Sequence, residues 1–490
     1  MRFRVAGVLL ALSSACAQTD GSPGRGVLVI AVDALRADHV QSMGYDRKTT
    51  PFLDALASEG TSFDSAWSPG PGVTPAHVSL LTGCDPLIAR VPARRDGSGQ
   101  APLVSWKIPE QVPRVAVEFL ANGFTTAAFV DHQVIGGLRG FDQGFVDWND
   151  FGGGARAEDF ELGVQGVGLR FLDWLKERQF EEDWFAYVHM NDLERIWQAP
   201  TGDLPVVFEP RPELASVPPV GVGEPVFHAL APSRWNGEER SLGELEALYD
   251  SAIVELDRNL ARLFGQMRRR KQWERTTVVV AGTFGVGLGE SGLIAASGSL
   301  SEVDLHVPLL IRPASGLLGQ VVPRVEHAVS LVDLPPTLLA LAGLSAPAGM
   351  HGLSLLPSMQ GGPAPSREFV FASCYLHEGY AVLDERYSFE LSHPGSRGGS
   401  LLAHSWFGFE AARYSEKREV VHDRLAESAP GQPSVSDGRL KRRMRAAGED
   451  WYGLIDRARD VLHRLPWDPE RPDPVEVAEL RARGVLGAWP

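Results

Sequence analysis

Residues 27–32 (Val-Leu-Val-Ile-Ala-Val) form an unbroken apolar run rich in β-branched side chains, and the run ends on Asp33. Such a run predicts a strand of a parallel sheet covered on both faces, since a strand with one wet face would alternate apolar and polar residues. Runs at 125–130, 184–189, 276–281 and 307–311 repeat the pattern, separated by stretches of helical periodicity. The alternation predicts an α/β fold with a doubly wound, mostly parallel sheet flanked by helices. The clearest helix starts at Leu242, where Leu245, Leu248, Tyr249, Ile253, Leu256, Leu260 and Leu263 share one face. Ligands of such sheets sit beyond the carboxyl ends of the strands, so Asp33, His189 and the stretch from Gly282 are expected to converge on one crevice.

The segment 199–241 is rich in Pro and Gly and interrupts the alternation, as a long surface insertion would. After Gly362 the pattern weakens into short strand-like runs at 369–372, 380–383 and 387–390. These predict a division into a main α/β domain over 26–360 and a smaller α+β C-terminal subdomain with a tail over 361–490. Residues 395–400 and 426–438 read as loops, and no internal repeat is found.

Composition changes this picture little. With 44% hydrophobic and 22% charged residues in 490, the chain can bury a large core. A formal charge of −15 argues against a nucleic-acid partner, which needs a basic face, so Arg268 to Lys271 and Lys441 to Arg443 read as solvated helix faces. The N-terminus adds more: Arg2 and Arg4, an apolar run over 5–12, then Ser13-Ser14-Ala15-Cys16 have the order of a secretory signal. Its end resembles a bacterial lipobox with Ser13 where Leu is usual, so lipidation at Cys16 competes with ordinary cleavage after Ala17. Both alternatives predict an exported protein, periplasmic or anchored to the membrane through lipid on Cys16. The apolar run is too short to span a bilayer, which takes about 20 residues. Processing at Cys16 leaves Cys84 and Cys374, too few and too far apart in sequence for a disulfide framework.

Three motifs carry a resemblance: Val29-Ile-Ala-Val-Asp-Ala-Leu-Arg-Ala-Asp-His39, Thr50-Pro-Phe-Leu-Asp-Ala-Leu-Ala-Ser-Glu-Gly60 and Pro75-Ala-His-Val-Ser-Leu-Leu-Thr-Gly83. In this order and spacing they resemble the opening of a sulfatase, of the alkaline phosphatase superfamily. The likeness continues through 136–145, 184–192, 248–257, 278–292, 307–309 and 332–343. It implies an alkaline-phosphatase-like fold and hydrolysis of sulfate or phosphate esters, with one divalent cation, usually calcium, and a nucleophile matured from Cys or Ser. It also implies an anionic ester or glycan as ligand. Such chemistry needs a cation and donors to hold an anion whose charge grows on the leaving oxygen, and a nucleophile gains from a helix N-terminus.

Residue by residue, the resemblance makes Asp33 the first metal carboxylate, with Ala34 where a second Asp is frequent. The nucleophile position, two residues before Pro75, is Val73; Thr74 is adjacent but one place out of register. The metal ligand and its neighbour from the Ser-Asp-His-Gly or Ser-Asp-Asn-Gly motif become Thr283 and Phe284, and Ser291 stands where many relatives have His. His189 and Asp192 remain in the middle motif, where Glu194 is a poor substitute for a catalytic His. His77 and His306 are either part of the same site or simply hydrogen-bonded histidines near loops, and Asp192 is alternatively a helix or turn cap.

The run Gly287-Leu-Gly-Glu-Ser-Gly292 satisfies a dinucleotide-binding pattern, but no acidic residue closes a second strand at the required distance, and no G-x-S-x-G elbow occurs. Two functional classes remain. One is a non-catalytic exported protein that keeps the scaffold for binding or assembly, favoured because nucleophile and cation ligands are lost together. The alternative is an active metal-dependent sulfatase or phosphoesterase using Thr74 or water.

Overall fold

The computed structural model describes residues 24–88, 91–92, 106–132, 135–150, 163–197, 205–212, 241–289, 294–295, 299–374, 379–392, 418–424, 435 and 437–464. The expectations for the signal segment and Cys16, for Ser291, for the loop at 395–400, and for most of the stretches 199–241 and 426–438 lie outside these residues.

The main sheet has eight strands in the order Arg324–Val325, Thr61–Phe63, Leu309–Arg312, Thr276–Gly282, Gly26–Val32, Trp184–Met190, Thr125–Phe129, Asp147–Asn149. Gly26–Val32 lies centrally, paired in parallel with Trp184–Met190 on one side and Thr276–Gly282 on the other. Every residue of these three strands is buried, which accounts for their unbroken apolar sequence. Leu309–Arg312 runs antiparallel to both its neighbours. Among the described residues only the short strands Gly287–Leu288 and Ile294–Ala295 and the four-residue helix Glu302–Leu305 separate it from Thr276–Gly282, so no long helical crossover returns the chain to the sheet's starting edge.

Alternate residues of the central strands feed two apolar layers. Val27, Val29, Ala31, Phe185, Tyr187, Val279 and Ala281 face the helices Val73–Thr82, Val115–Ala121 and Leu334–Leu341. Leu28, Ile30, Val32, Ala186, Val188, Val278 and Val280 face Pro51–Ser58, Gly163–Lys176 and Leu242–Arg269. Helices on both faces make the arrangement doubly wound. Leu242–Arg269 begins with a capping box in which the Ser241 hydroxyl accepts from the Glu244 backbone while the Glu244 side chain returns to the Ser241 backbone. It buries Leu245, Tyr249, Ile253, Leu256, Leu260 and Leu263 against the sheet. Its last turn carries Arg268 and Arg269, where cations suit the helix dipole.

The C-terminal part is a four-stranded antiparallel sheet, Val370–Cys374, Gly379–Leu383, Tyr387–Ser392 and Arg418–Asp423. One face packs Ala372, Cys374, Ala381 and Leu383 on Trp67, Leu300 and Leu305 of the main domain. The other carries the helix Gly438–Arg464, of which the sequence reading anticipates only the charged face at Lys441 to Arg443. Met444 of that helix packs on Tyr380, Val382 and Phe389, and a Cβ at Gly448 would lie 2.1 Å from the Tyr380 ring. Arg442 and Arg443 are exposed on its outer side. Among the described residues, no helix is long and apolar enough to cross a membrane.

Candidate functional site

The three central strands end side by side, with Val32 in register with Met190 and with Gly282. The residues that follow therefore emerge at one edge: the Asp33 N–H donates to the Met190 carbonyl (3.0 Å) and the Thr283 N–H to the Val32 carbonyl (2.9 Å). Asp33 is wholly buried, and its carboxylate is the centre of a cluster. His189, opposite Ala31 in the neighbouring strand, brings Nε2 to 2.8 Å from Asp33 Oδ2. His77, on the buried side of Val73–Thr82, brings Nε2 to 2.9 Å from Oδ1. The Thr283 hydroxyl donates to Oδ1 at 2.5 Å. Beyond the carboxylate, His77 Nδ1 lies 2.5 Å from the Tyr187 hydroxyl, and His189 Nδ1 accepts the Asp131 backbone N–H at 3.1 Å.

Burial alone would push the Asp33 carboxyl up, but His189 and His77, by charge and hydrogen bond, outweigh it and hold Asp33 well below the usual carboxylate range. His77 is pushed down to about 4, mainly by its own burial. Tyr187, also buried, is raised far above its ordinary value and keeps its proton. The cluster sets one carboxylate among two imidazoles and a hydroxyl.

A second layer lies beside it. His132, buried, faces Glu194 with Nε2 3.8 Å from Oε2, and its ring centroid is 6.3 Å from that of His189. Burial lowers His132 to about 4, and burial with the charge of Asp33 raises Glu194 to about 8. The folded-state value of Glu194 lies above the unfolded one, so the residue weakens the fold progressively as pH rises from about 4.5 towards 8. Glu194→Gln should therefore melt close to the parent at pH 4.5 and increasingly above it towards pH 8, measured by thermal denaturation across that range.

The remaining candidates are distributed as follows. Val73 opens its helix after Gly72, whose φ of 84° is readily adopted only by glycine, and it packs against both apolar layers. Thr74 follows and is buried. Phe284 is wholly buried in the layer facing Leu242–Arg269, not in the polar cluster. Ala34 adopts φ 60°, a left-handed conformation in which Asp and Asn are several-fold enriched, and its carbonyl accepts the Tyr249 hydroxyl at 2.6 Å. Asp192 is half-buried and is not among the hydrogen-bond partners of Asp33 in the described residues. His306 does not join the site: its Nε2 lies 2.9 Å from the Asp64 carbonyl, and its ring packs by Trp67 with Arg424 alongside. Tyr187, Asp131 and His132 are absent from the sequence-based candidates. The available signal is that Tyr187 shares a strand face with His189, two residues on, and that Asp131-His132 follow a strand end.

Calcium, the cation implied by the resemblance, binds roughly 6 to 8 oxygens, mostly carboxylate and carbonyl. Asp33, His77 and His189 have ligand atoms within 4.8 Å of one another, but the set offers a single carboxylate and two imidazoles. Thr283 adds a hydroxyl that already donates to Asp33. These residues do not fit calcium.

Comparison with known proteins supplies the family. The Sulfatase family model matches residues 25–344. A delta 4,5-hexuronate-2-O-sulfatase of Bacteroides thetaiotaomicron is 25% identical over 378 residues, covering 72% of this chain and 75% of that one. Among solved structures, a 2-O GAG sulfatase superposes with a TM-score of 0.64 at 18% identity, covering 92% of this chain and 96% of the other. Another, in complex with its substrate D-glucosamine-2-N,6-O-disulfate, gives a TM-score of 0.61 at 14% identity over 88% and 98%. The mostly parallel eight-stranded sheet, the small antiparallel C-terminal sheet and the length of the match agree, and the chain belongs to the sulfatase family.

Proposed function

We propose that this chain is an exported sulfatase-family protein that does not hydrolyse sulfate or phosphate esters and keeps the scaffold for binding or assembly. The observation that carries the reading is Val73. It stands at the start of the helix whose N-terminus would assist a nucleophile, and its side chain packs into both apolar layers. A valine offers no lone pair to attack sulfur or phosphorus. Thr283 and Phe284 in place of the metal ligand and its neighbour support the same reading, since the charge on a leaving oxygen would then have no cation to stabilise it. The ligand class we propose is an anionic sugar such as a sulfated glycan, held without being cleaved. Export rests on the order of charged, apolar and small residues over 1–16, with lipid on Cys16 as the proposed anchor.

The test is an assay of the purified protein and its Asp33→Ala variant on chromogenic aryl sulfates and phosphates with several divalent metals. Both are expected to remain at background. Metal-dependent turnover by the parent that disappears in Asp33→Ala would overturn the reading and point to Thr74 or an activated water.

A further inference from the structure

The two imidazoles around Asp33 look at first like a site for a softer cation than calcium, since two histidines and a carboxylate are ligands that zinc accepts. The hydrogen bonds on their far sides decide otherwise. The Asp131 backbone N–H donates to His189 Nδ1, and a backbone amide cannot reverse its role. Nδ1 therefore carries the lone pair, and the proton of the neutral ring sits on Nε2. That N–H points at Asp33 Oδ2 from 2.8 Å. Histidines that bind metals through one ring nitrogen do the reverse and donate from the other. His77 follows the same order. Its Nε2 faces the carboxylate at 2.9 Å, while Tyr187, which keeps its proton, supplies an O–H to Nδ1 at 2.5 Å.

We infer that protein donors have taken the place of the family's cation: His189 Nε2–H, His77 Nε2–H and the Thr283 hydroxyl together satisfy the Asp33 carboxylate, in a closed network that admits neither calcium nor zinc. Every member is wholly buried, away from bulk solvent. The His189 donor is fixed by the Asp131 amide, which lies outside the sulfatase-like motifs, and the His77 donor is backed by the Tyr187 hydroxyl. A cation entering the cluster would have to take the place of the proton on each Nε2, turn His189 against the Asp131 amide, and leave that amide without an acceptor in the interior, where an unmade hydrogen bond is costly. The network explains how a lone carboxylate stays ionised in the core of a protein whose metal ligands are replaced. It rests on the non-catalytic reading of the site but fails separately from it.

The experiment is nitrogen-15 NMR of the histidine side chains in the intact protein at neutral pH, recorded in chelator, in millimolar calcium and in micromolar zinc. His189 and His77 should both be neutral with the proton on Nε2, and their ring resonances should be identical in all three conditions. A proton on His189 Nδ1, or movement of either ring's resonances on adding calcium or zinc, would overturn the inference. Metal entry without ester turnover would remove this inference alone, whereas turnover would remove the functional reading.

Discussion

Asp33→Ala is expected to destabilise the protein by at least about 3 kcal/mol, and Asp33→Asn by clearly less, in denaturant unfolding of the two variants beside the parent. The estimate follows from the partners left behind. His189 Nε2–H and His77 Nε2–H lose their acceptor in Asp33→Ala, deep in the core, while the Thr283 hydroxyl turns to the Val32 carbonyl at 3.3 Å. A buried donor without a partner costs about 1–3 kcal/mol, and two of them together reach about 3 kcal/mol even after some local relaxation. Asparagine preserves the shape and one oxygen. That oxygen has to face His189, because the Asp131 amide fixes the proton of that ring on Nε2. The new amide NH2 then meets His77, whose proton can move to Nδ1 and be donated to the Tyr187 oxygen, so one ring inverts its tautomer and no heavy atom has to shift. Equal losses in the two variants would mean that charge, not donor count, dominates the cluster.

Much of the fold is legible in the sequence for a physical reason. Strands buried on both faces, such as Gly26–Val32 and Thr276–Gly282, take apolar residues at most positions, and that run is visible in the sequence. The direction of Leu309–Arg312 is not legible, because strand sense is set by the connection before it and leaves no mark on the strand. The extent of Gly438–Arg464, beyond the charged face at Lys441 to Arg443, escapes for another reason. Its first two turns hold Arg439, Lys441, Arg442, Arg443 and Arg445, charges that a helix dipole disfavours at that end, and they obscure the apolar positions, such as Met444 and Trp451, that face the sheet. In the site, Asp33 and Thr283 can be placed from strand ends alone, and His189 from its strand. The same reasoning leaves His306 open between the site and a hydrogen-bonded loop position, since a residue just before a strand can face away from the crevice, as this one does towards Asp64. The tautomers that decide the character of the cluster depend on Asp131 and Tyr187, and no spacing rule brings those into contact with His189 and His77.

Restoring a hydroxyl at the nucleophile position is expected to restore nothing. Val73→Ser should fold, because the site is half-buried and at the first turn of its helix, and it should lose a little stability with the apolar contacts that Val73 makes to both layers. Its rate on aryl sulfates and phosphates should stay at the parent's background. A serine hydroxyl needs a base to take its proton and a positive charge to meet the oxygen that departs. Asp33 already accepts from three donors, and Phe284 offers no imidazole. Groups that work as one catalytic unit are strongly non-additive, so a nucleophile restored alone regains little of the about 10⁶-fold that a whole unit supplies. The combined variant Val73→Ser, Ala34→Asp, Thr283→Asp, Phe284→His returns the nucleophile, two carboxylates and an imidazole together. Ala34 already has the left-handed backbone that an aspartate tolerates, and Thr283 already points at Asp33, so the new carboxylates enter positions that suit them. That variant is expected to show weak, metal-dependent phosphate ester hydrolysis in the same chromogenic assay. Activity in Val73→Ser alone would show that the Asp33 cluster can open to a cation after all.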